Sequence, residues 1–298
     1  MPLVVLLVIA LSAGSLVGFL AWHYPSPGPA TPPPTVAAAQ AVGREIGHHS
    51  RLRRSLKARL NAEVATGLAL TIALGLVLLG GLLLALFAYL VRTNSQLVEF
   101  DASVAQWGAD HATDASQRVL GWITHIGDTL LVVGLAIVVA VVEYIRRPSR
   151  WIAPFLILVI LGQNLLTNGL KELLDRVRPT LNPIAETLGP SFPSGHAATA
   201  AAFYAAAALV LGRGRTSRTR AFLAGSAVAI AVAVACTRVL LDYHWLSDVI
   251  AGLALGWAWF AVCSIAFGGR MLEFGVVVEE ALDEADAESR RPTAARAH

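Results

Sequence analysis

Charge is what this chain has least of. Asp, Glu, Lys and Arg make up 14% of its 298 residues, where a soluble globular domain carries about 25%. That deficit excludes an ordinary water-solvated surface and suits a chain solvated by lipid, as does a hydrophobic fraction of 56%. Cysteine is nearly absent. Cys236 and Cys263 both lie in apolar runs, which excludes a disulfide framework and a cysteine metal site and reads as packing. Lysine is scarce beside arginine: only Lys57 and Lys171 stand among 23 basic residues. The net charge of +3 does not point to nucleic acid, because the basic residues cluster in short segments between apolar runs.

What the chain has is long apolar runs. Seven are read, at 3–21, 64–91, 119–143, 151–170, 196–212, 219–238 and 245–267. About 20 residues at 1.5 Å each cross a bilayer, so the runs predict an all-α integral membrane protein. The run at 196–212 is the shortest and is rich in alanine. Residues 25–34, PSPGPATPPP, form a stiff extended linker. In 43–62, Leu52, Leu56 and Leu60 make a stripe among Arg51, Arg53, Arg54, Lys57 and Arg59. This segment reads either as a basic helix lying on an anionic leaflet or as a plain topology anchor. The expected organisation is therefore an N-terminal span (1–24), a linker with the basic segment (25–62), a membrane domain (63–270) and a charged, solvated tail (271–298).

Loop charge sets the orientation. Arg51 to Arg59, then Arg146, Arg147 and Arg150, then Arg213, Arg215, Arg218 and Arg220 fall on one side when the spans alternate. That side is cytoplasmic by the positive-inside rule. The opposite side holds the loop 92–118, with Glu99, Asp101, Asp110 and Asp114, and the segments 171–195 and 239–244. The first span is read as uncleaved, with its N-terminus outside.

Three polar clusters gather at the outer span ends. In KELLDRVRP (171–179), Lys171 and Arg178 are seven residues apart, which places both cations on one face of a helix that Pro179 closes. An Arg fork and a Lys point charge suit phosphate oxygens. In SFPSGHA (191–197), Ser194 and Gly195 stand at a helix start, where free N–H groups attract anions. His196 stands at its mouth. In TRVLLDYHWLSD (237–248), Arg238 ends one span and His244 opens the next, with Asp248 one turn on. A carboxylate there fixes one ring nitrogen of His244 and frees the other to attack. Each cluster alone has a plainer reading: snorkelling cations, an ordinary N-cap, an interfacial aromatic belt with a capping aspartate. Together, on one side of the membrane, they supply charge clamps, a nucleophile and an acid, which phosphoryl transfer needs. His125 and Asp128 lie outside the clusters and read as a structural hydrogen-bonded pair or as a border of the substrate entrance.

These segments resemble the three-part signature K-x6-RP, PSGH and SR-x5-H-x3-D of the type 2 phosphatidic acid phosphatase superfamily, over roughly residues 64–268. The spacing matches throughout, with Thr237 where the family has serine; the retained hydroxyl predicts altered phosphate contact, not lost activity. The resemblance implies a six-helix lipid phosphatase core preceded by one extra N-terminal transmembrane helix. It implies that His244 is the nucleophile and forms a phosphohistidine, that Asp248 orients it, and that His196 protonates the leaving oxygen and then activates water. Lys171, Arg178, Ser194, Gly195 and Arg238 are implied to hold the phosphate, with no cofactor and no metal. The expected substrate is a membrane lipid phosphate in the cytoplasmic membrane: a polyprenyl diphosphate first, phosphatidylglycerol phosphate or phosphatidic acid next, with the reaction on the outer face. The lipid bilayer is the expected surrounding, with no nucleic acid partner. Two other readings use the same site: a lipid phosphotransferase, and a transporter with a cationic anion site.

Overall fold

The computed structural model describes residues 1–23, 65–180, 182, 185 and 187–271. Among the described residues the regular elements are helices: α1 (Pro2–His23), α2 (Ala65–Thr93), α3 (Ser95–Asp110), α4 (Asp114–His125), α5 (Thr129–Arg146), α6 (Ile152–Leu174), α7 (Gly195–Leu211), α8 (Ser217–Leu240) and α9 (Leu246–Met271). The chain divides into two units, residues 1–25 with 73–267 and residues 26–72 with 268–298. The second falls almost wholly outside the described residues. The proline linker, the basic segment 43–62 and the tail after 271 lie there too.

Six of these helices are long and apolar enough to cross a membrane. The remaining expected span, 196–212, is α7 with 17 residues, at the short end of what a bilayer accepts. The chain is a multi-pass membrane protein. Leu82, Leu130 and Leu165 are exposed at 66%, 89% and 76%, an orientation that only an apolar solvent favours.

The expected span 119–143 is not one helix. It breaks at residues 126–128 into α4 and α5, and the expected loop 92–118 is mostly helix. The reason is local chemistry. Asn94 caps α3 by accepting from the Leu97 N–H at 3.0 Å. Thr113 and Ser116 close a reciprocal capping box at the start of α4. α4 is amphipathic, with Ser116, Leu120 and Thr124 buried in a row, so a hydropathy count merges its apolar half with α5.

α7 is the central helix. Ala197, Ala198, Ala200, Ala201, Ala202 and Ala206 are almost wholly buried. Small side chains let neighbours come close. A Cβ on Gly252 of α9 would stand 2.6 Å from the Ser194 carbonyl, and one on Gly256 would stand 2.3 Å from that of Ala198. On the α6 side, Thr199 donates to Gln163 at 2.9 Å and Gln163 to Thr167 at 2.8 Å, both buried. The extra helix α1 packs on α8 by the same device: a Cβ on Gly14 would fall 2.6 Å from the Gly225 carbonyl.

The loops separate the molecule into a basic end and a reactive end. Between α5 and α6, and between α7 and α8, the chain turns through arginines, and Arg213 donates to the Arg147 carbonyl at 3.2 Å. The opposite ends of α6, α7, α8 and α9 carry the three clusters.

Candidate active site

α6 ends earlier than Pro179 predicts. Leu174 is its last residue, and Asp175 turns the chain with φ 43°. Lys171 and Arg178 therefore do not share a helix face. Residues 176–180 are not helical, and this frees Arg178 to turn inward. Its Nε donates to the Gly189 carbonyl at 2.7 Å, Nη1 to the Tyr243 carbonyl at 2.7 Å and Nη2 to the Pro190 carbonyl at 3.2 Å. Lys171 stays within electrostatic reach of Arg178, Arg238 and Asp248.

His244 likewise precedes its helix. α9 begins at Leu246, and His244 sits in the tight turn between α8 and α9, its N–H on the Arg238 carbonyl at 3.0 Å. Asp248 thus faces it across a turn rather than along a helix. His244 Nδ1 lies 3.4 Å from Asp248 Oδ2, a loose contact that leaves Nδ1 without a formed hydrogen bond. Nε2 is 3.2 Å from Arg178 Nη1. A guanidinium only donates, so Nε2 presents its lone pair and the ring proton belongs on Nδ1, toward Asp248. Burial pushes the imidazole down to about 3, against the pull of the nearby Asp248 carboxylate and together with the charges of Arg178 and Arg238. His244 is neutral at physiological pH.

Ser194 is the N-cap residue of α7, but its hydroxyl does not cap. It is buried and has no hydrogen-bond partner. Its N–H donates to the Asp248 carbonyl at 3.0 Å, which ties the second cluster to the third. Gly195 follows, and even a Cβ there would come no closer than 3.7 Å to Thr167. His196 Nε2 is 2.7 Å from Asp128 Oδ1. Arg238 is buried beneath the Tyr243 ring, its Cζ 4.1 Å from the centroid. Its Nη1 donates to Thr124 at 3.1 Å, and its Nε has no partner. Thr237 does not offer its hydroxyl to this space; it donates to the Val234 carbonyl at 2.6 Å.

The structure thus brings Arg178, Ser194, Arg238, His244 and Asp248 together, with Lys171 and His196 at the edge. Two of the buried groups, Ser194 Oγ and Arg238 Nε, are donors without acceptors. An anion bringing several acceptor oxygens suits them. A frame that no sequence motif marks lies beneath. Arg176 binds Asp248 at 2.6 Å, Asp101 at 2.8 Å and Ser247 at 2.7 Å, and Asp101 also accepts from the Ser247 N–H at 3.0 Å. Sequence offered no signal for Asp101 or Arg176: Asp101 is one of several acids in 92–118, and Arg176 stands among the charges of KELLDRVRP.

The PAP2 superfamily matches residues 153–271. Phosphatidylglycerophosphatase B of Bacillus subtilis (strain 168) is 33% identical over 141 residues, covering 47% of this chain and 69% of that protein. The chain belongs to the PAP2 superfamily. Lipid A 1-phosphatase of Rhizobium johnstonii is 38% identical over 122 residues, 38% of this chain and 46% of that protein. A solved PAP2 structure, the transmembrane phosphatidylglycerolphosphate phosphatase from Bacillus subtilis, superposes with a TM-score of 0.61 at 26% identity. It covers 64% of this chain and 96% of that one. The fold is that of a PAP2 membrane phosphatase, and the chain is an enzyme of that class.

Proposed function

We propose that this PAP2 enzyme hydrolyses a phosphate monoester or diphosphate of a membrane lipid by a metal-independent route through a phosphohistidine on His244. The observation that carries the reading is the buried His244 ring, its Nε2 3.2 Å from Arg178 Nη1 and its Nδ1 3.4 Å from Asp248 Oδ2. Lys171, Arg178 and Arg238 supply the positive charge, and Ser194 and the N–H groups opening α7 supply neutral donors.

Arg178 Nη1 turns from Nε2 to a phosphate oxygen, and the freed lone pair of Nε2 attacks phosphorus. The bond from phosphorus to the leaving oxygen breaks, its electron pair passes to that oxygen, and the oxygen takes a proton from His196. Water then attacks the phosphohistidine, His196 accepts the water proton, and the N–P electron pair returns to Nε2 as inorganic phosphate departs. Asp248 stabilises the positive ring in between. The leaving group is a lipid alcohol from a monoester, or a lipid monophosphate from a diphosphate.

The outer face of the cytoplasmic membrane is the proposed location, because the arginine loops stand at the other end of the same helices. A polyprenyl diphosphate leads the substrate panel, followed by phosphatidylglycerol phosphate and phosphatidic acid. Phosphate release from detergent-solubilised enzyme is to be measured on all three with EDTA present and no added alcohol. Release that survives EDTA and vanishes in His244→Ala is the expected result. Collapse in EDTA would overturn the metal-independent route, and product formation only with an added alcohol acceptor would overturn hydrolysis.

A further inference from the structure

The turn between α4 and α5 belongs to none of the three signature segments and precedes the residues that the superfamily matches, 153–271. It nevertheless forms a wall of the site. Arg238 donates to Thr124 in its approach at 3.1 Å. Tyr204, two turns beyond His196 on α7, donates to the Ile126 carbonyl at 2.8 Å. Gly127 lies on the His196 ring: a Cβ there would be 3.4 Å from His196 Cδ2 and 2.6 Å from Val234 Cγ1. Only a residue without a side chain lets the turn come this close.

Asp128 follows at the N-cap of α5, a position where aspartate ordinarily accepts from the first turn of its helix. Here it makes no such bond. Its Oδ1 is 2.7 Å from His196 Nε2 and its Oδ2 is 2.6 Å from His125 Nδ1. The carboxylate gives up the cap to hold two imidazoles. The three side chains form a hydrogen-bonded chain; among the described residues no three such groups converge as metal ligands. Partial burial pushes the Asp128 carboxyl up, but the hydrogen bonds and charges of His125 and His196 outweigh it and hold it below the usual range. It is an ionised acceptor, so both ring nitrogens facing it carry protons. The cations Arg238 and Lys171 also act on His196. Asp128 is the carboxylate hydrogen-bonded to it.

We propose that Asp128 is a positioning residue for departure of the leaving group: it holds His196 by its Nε2–H, so that Nδ1 is the nitrogen that passes a proton to the departing oxygen. His125 holds the second carboxylate oxygen and turns the first toward His196. His196 acts as the imidazolium, taking a solvent proton on Nδ1 before the lipid binds: as the P–O bond breaks, the Nδ1–H electron pair returns to the ring, the proton joins the leaving oxygen, and a neutral ring protonated at Nε2 stays on the Asp128 carboxylate. This rests on the proposed role of His196 as the acid.

The test is leaving-group dependence. kcat/KM is measured for phosphatidic acid in detergent micelles, whose alkoxide needs a proton, and for p-nitrophenyl phosphate, whose leaving group does not. In Asp128→Asn, the expected result is a fall of about 10-fold or more for the lipid, with the aryl phosphate within about threefold of wild type. Equal losses on the two substrates, or no loss on either, would overturn the proposal. Thermal midpoints in detergent check the fold. Should Asp128→Asn not fold, His125→Ala keeps the carboxylate and predicts the same split at smaller size; no split there overturns the proposal as well. Wild-type enzyme that releases no phosphate from these two substrates or from the polyprenyl diphosphate and phosphatidylglycerol phosphate sinks the phosphatase reading and this one with it. Active wild type, inactive His196→Ala and an unaffected Asp128→Asn sink this one alone.

Discussion

Arg176 Nη1 lies 2.6 Å from Asp248 Oδ1, and this ion pair seats the carboxylate that faces His244. The same guanidinium reaches Asp101 at 2.8 Å, so one cation compensates two carboxylates that are almost wholly buried. Asp101 belongs to α3 and Asp248 to α9. The site therefore depends on a helix that carries no part of the signature.

Removing that cation leaves two uncompensated buried anions. Arg176→Ala is expected to lower stability by about 3–5 kcal/mol. Arg176→Lys is expected to recover only part, since a point charge does not reproduce the fork that serves Asp101, Asp248 and Ser247 together. Denaturation in detergent, followed by tryptophan fluorescence, measures both.

His244→Ala is expected to lower kcat by about 10³-fold or more, with the thermal midpoint retained within a few degrees. Trapping of acid-labile phosphate on wild type, and none on the variant, checks the covalent step.

The pH dependence of stability follows from the same ring. Its folded value is about 3, against about 6.5 for an unfolded histidine. Between these values the unfolded chain takes a proton that the folded chain refuses, so stability falls as pH drops from about 6.5 toward 3, by up to about 1.4 kcal/mol per pH unit. Above pH 7 this histidine contributes no slope. Thermal midpoints between pH 4 and 8 should fall on the acid side in wild type and fall less in His244→Gln.

Ser194 and Thr237 both carry hydroxyls at signature positions, but their surroundings differ. Ser194 Oγ is free of partners, whereas Thr237 donates to its own helix. Ser194→Ala is expected to lower kcat/KM by about 10-fold, and Thr237→Ala by less than about threefold. Steady-state kinetics on one lipid substrate separates them. A large loss at Thr237 would return its hydroxyl to the phosphate.

Gly14 has no room for a side chain: a Cβ would lie 2.6 Å from the Gly225 carbonyl and 2.7 Å from Ala229 Cβ. Gly14→Leu is expected to prise α1 from α8 and lower stability by about 1–3 kcal/mol, with kcat unchanged because α1 supplies no group to the site. Melting and kinetics on the same preparation test this.

The three signature segments were legible because their residues are polar where lipid-facing residues are apolar. The supporting frame was not. Asp101 looked like one acid among several in a loop, and Arg176 sat between two signature cations. The order of residues suggests His125 and Asp128 as a hydrogen-bonded pair or a border of the substrate entrance; their bond is present at 2.6 Å, but nothing in that order marks the link to His196. That link spans 68 residues, and no periodicity records it.

By itself the amino-acid sequence determined that the chain is helical and lives in lipid, since lengths of apolar run and scarcity of charge are properties of composition and order. It also placed the reactive residues at helix ends, through proline, glycine and loop charge. Only the tertiary structure decided where α6 stops, that His244 stands in a turn, and which nitrogen of each imidazole is held. Those depend on hydrogen bonds between segments far apart in the chain, and a hydrogen bond is set by distance and direction, which one-dimensional order does not contain.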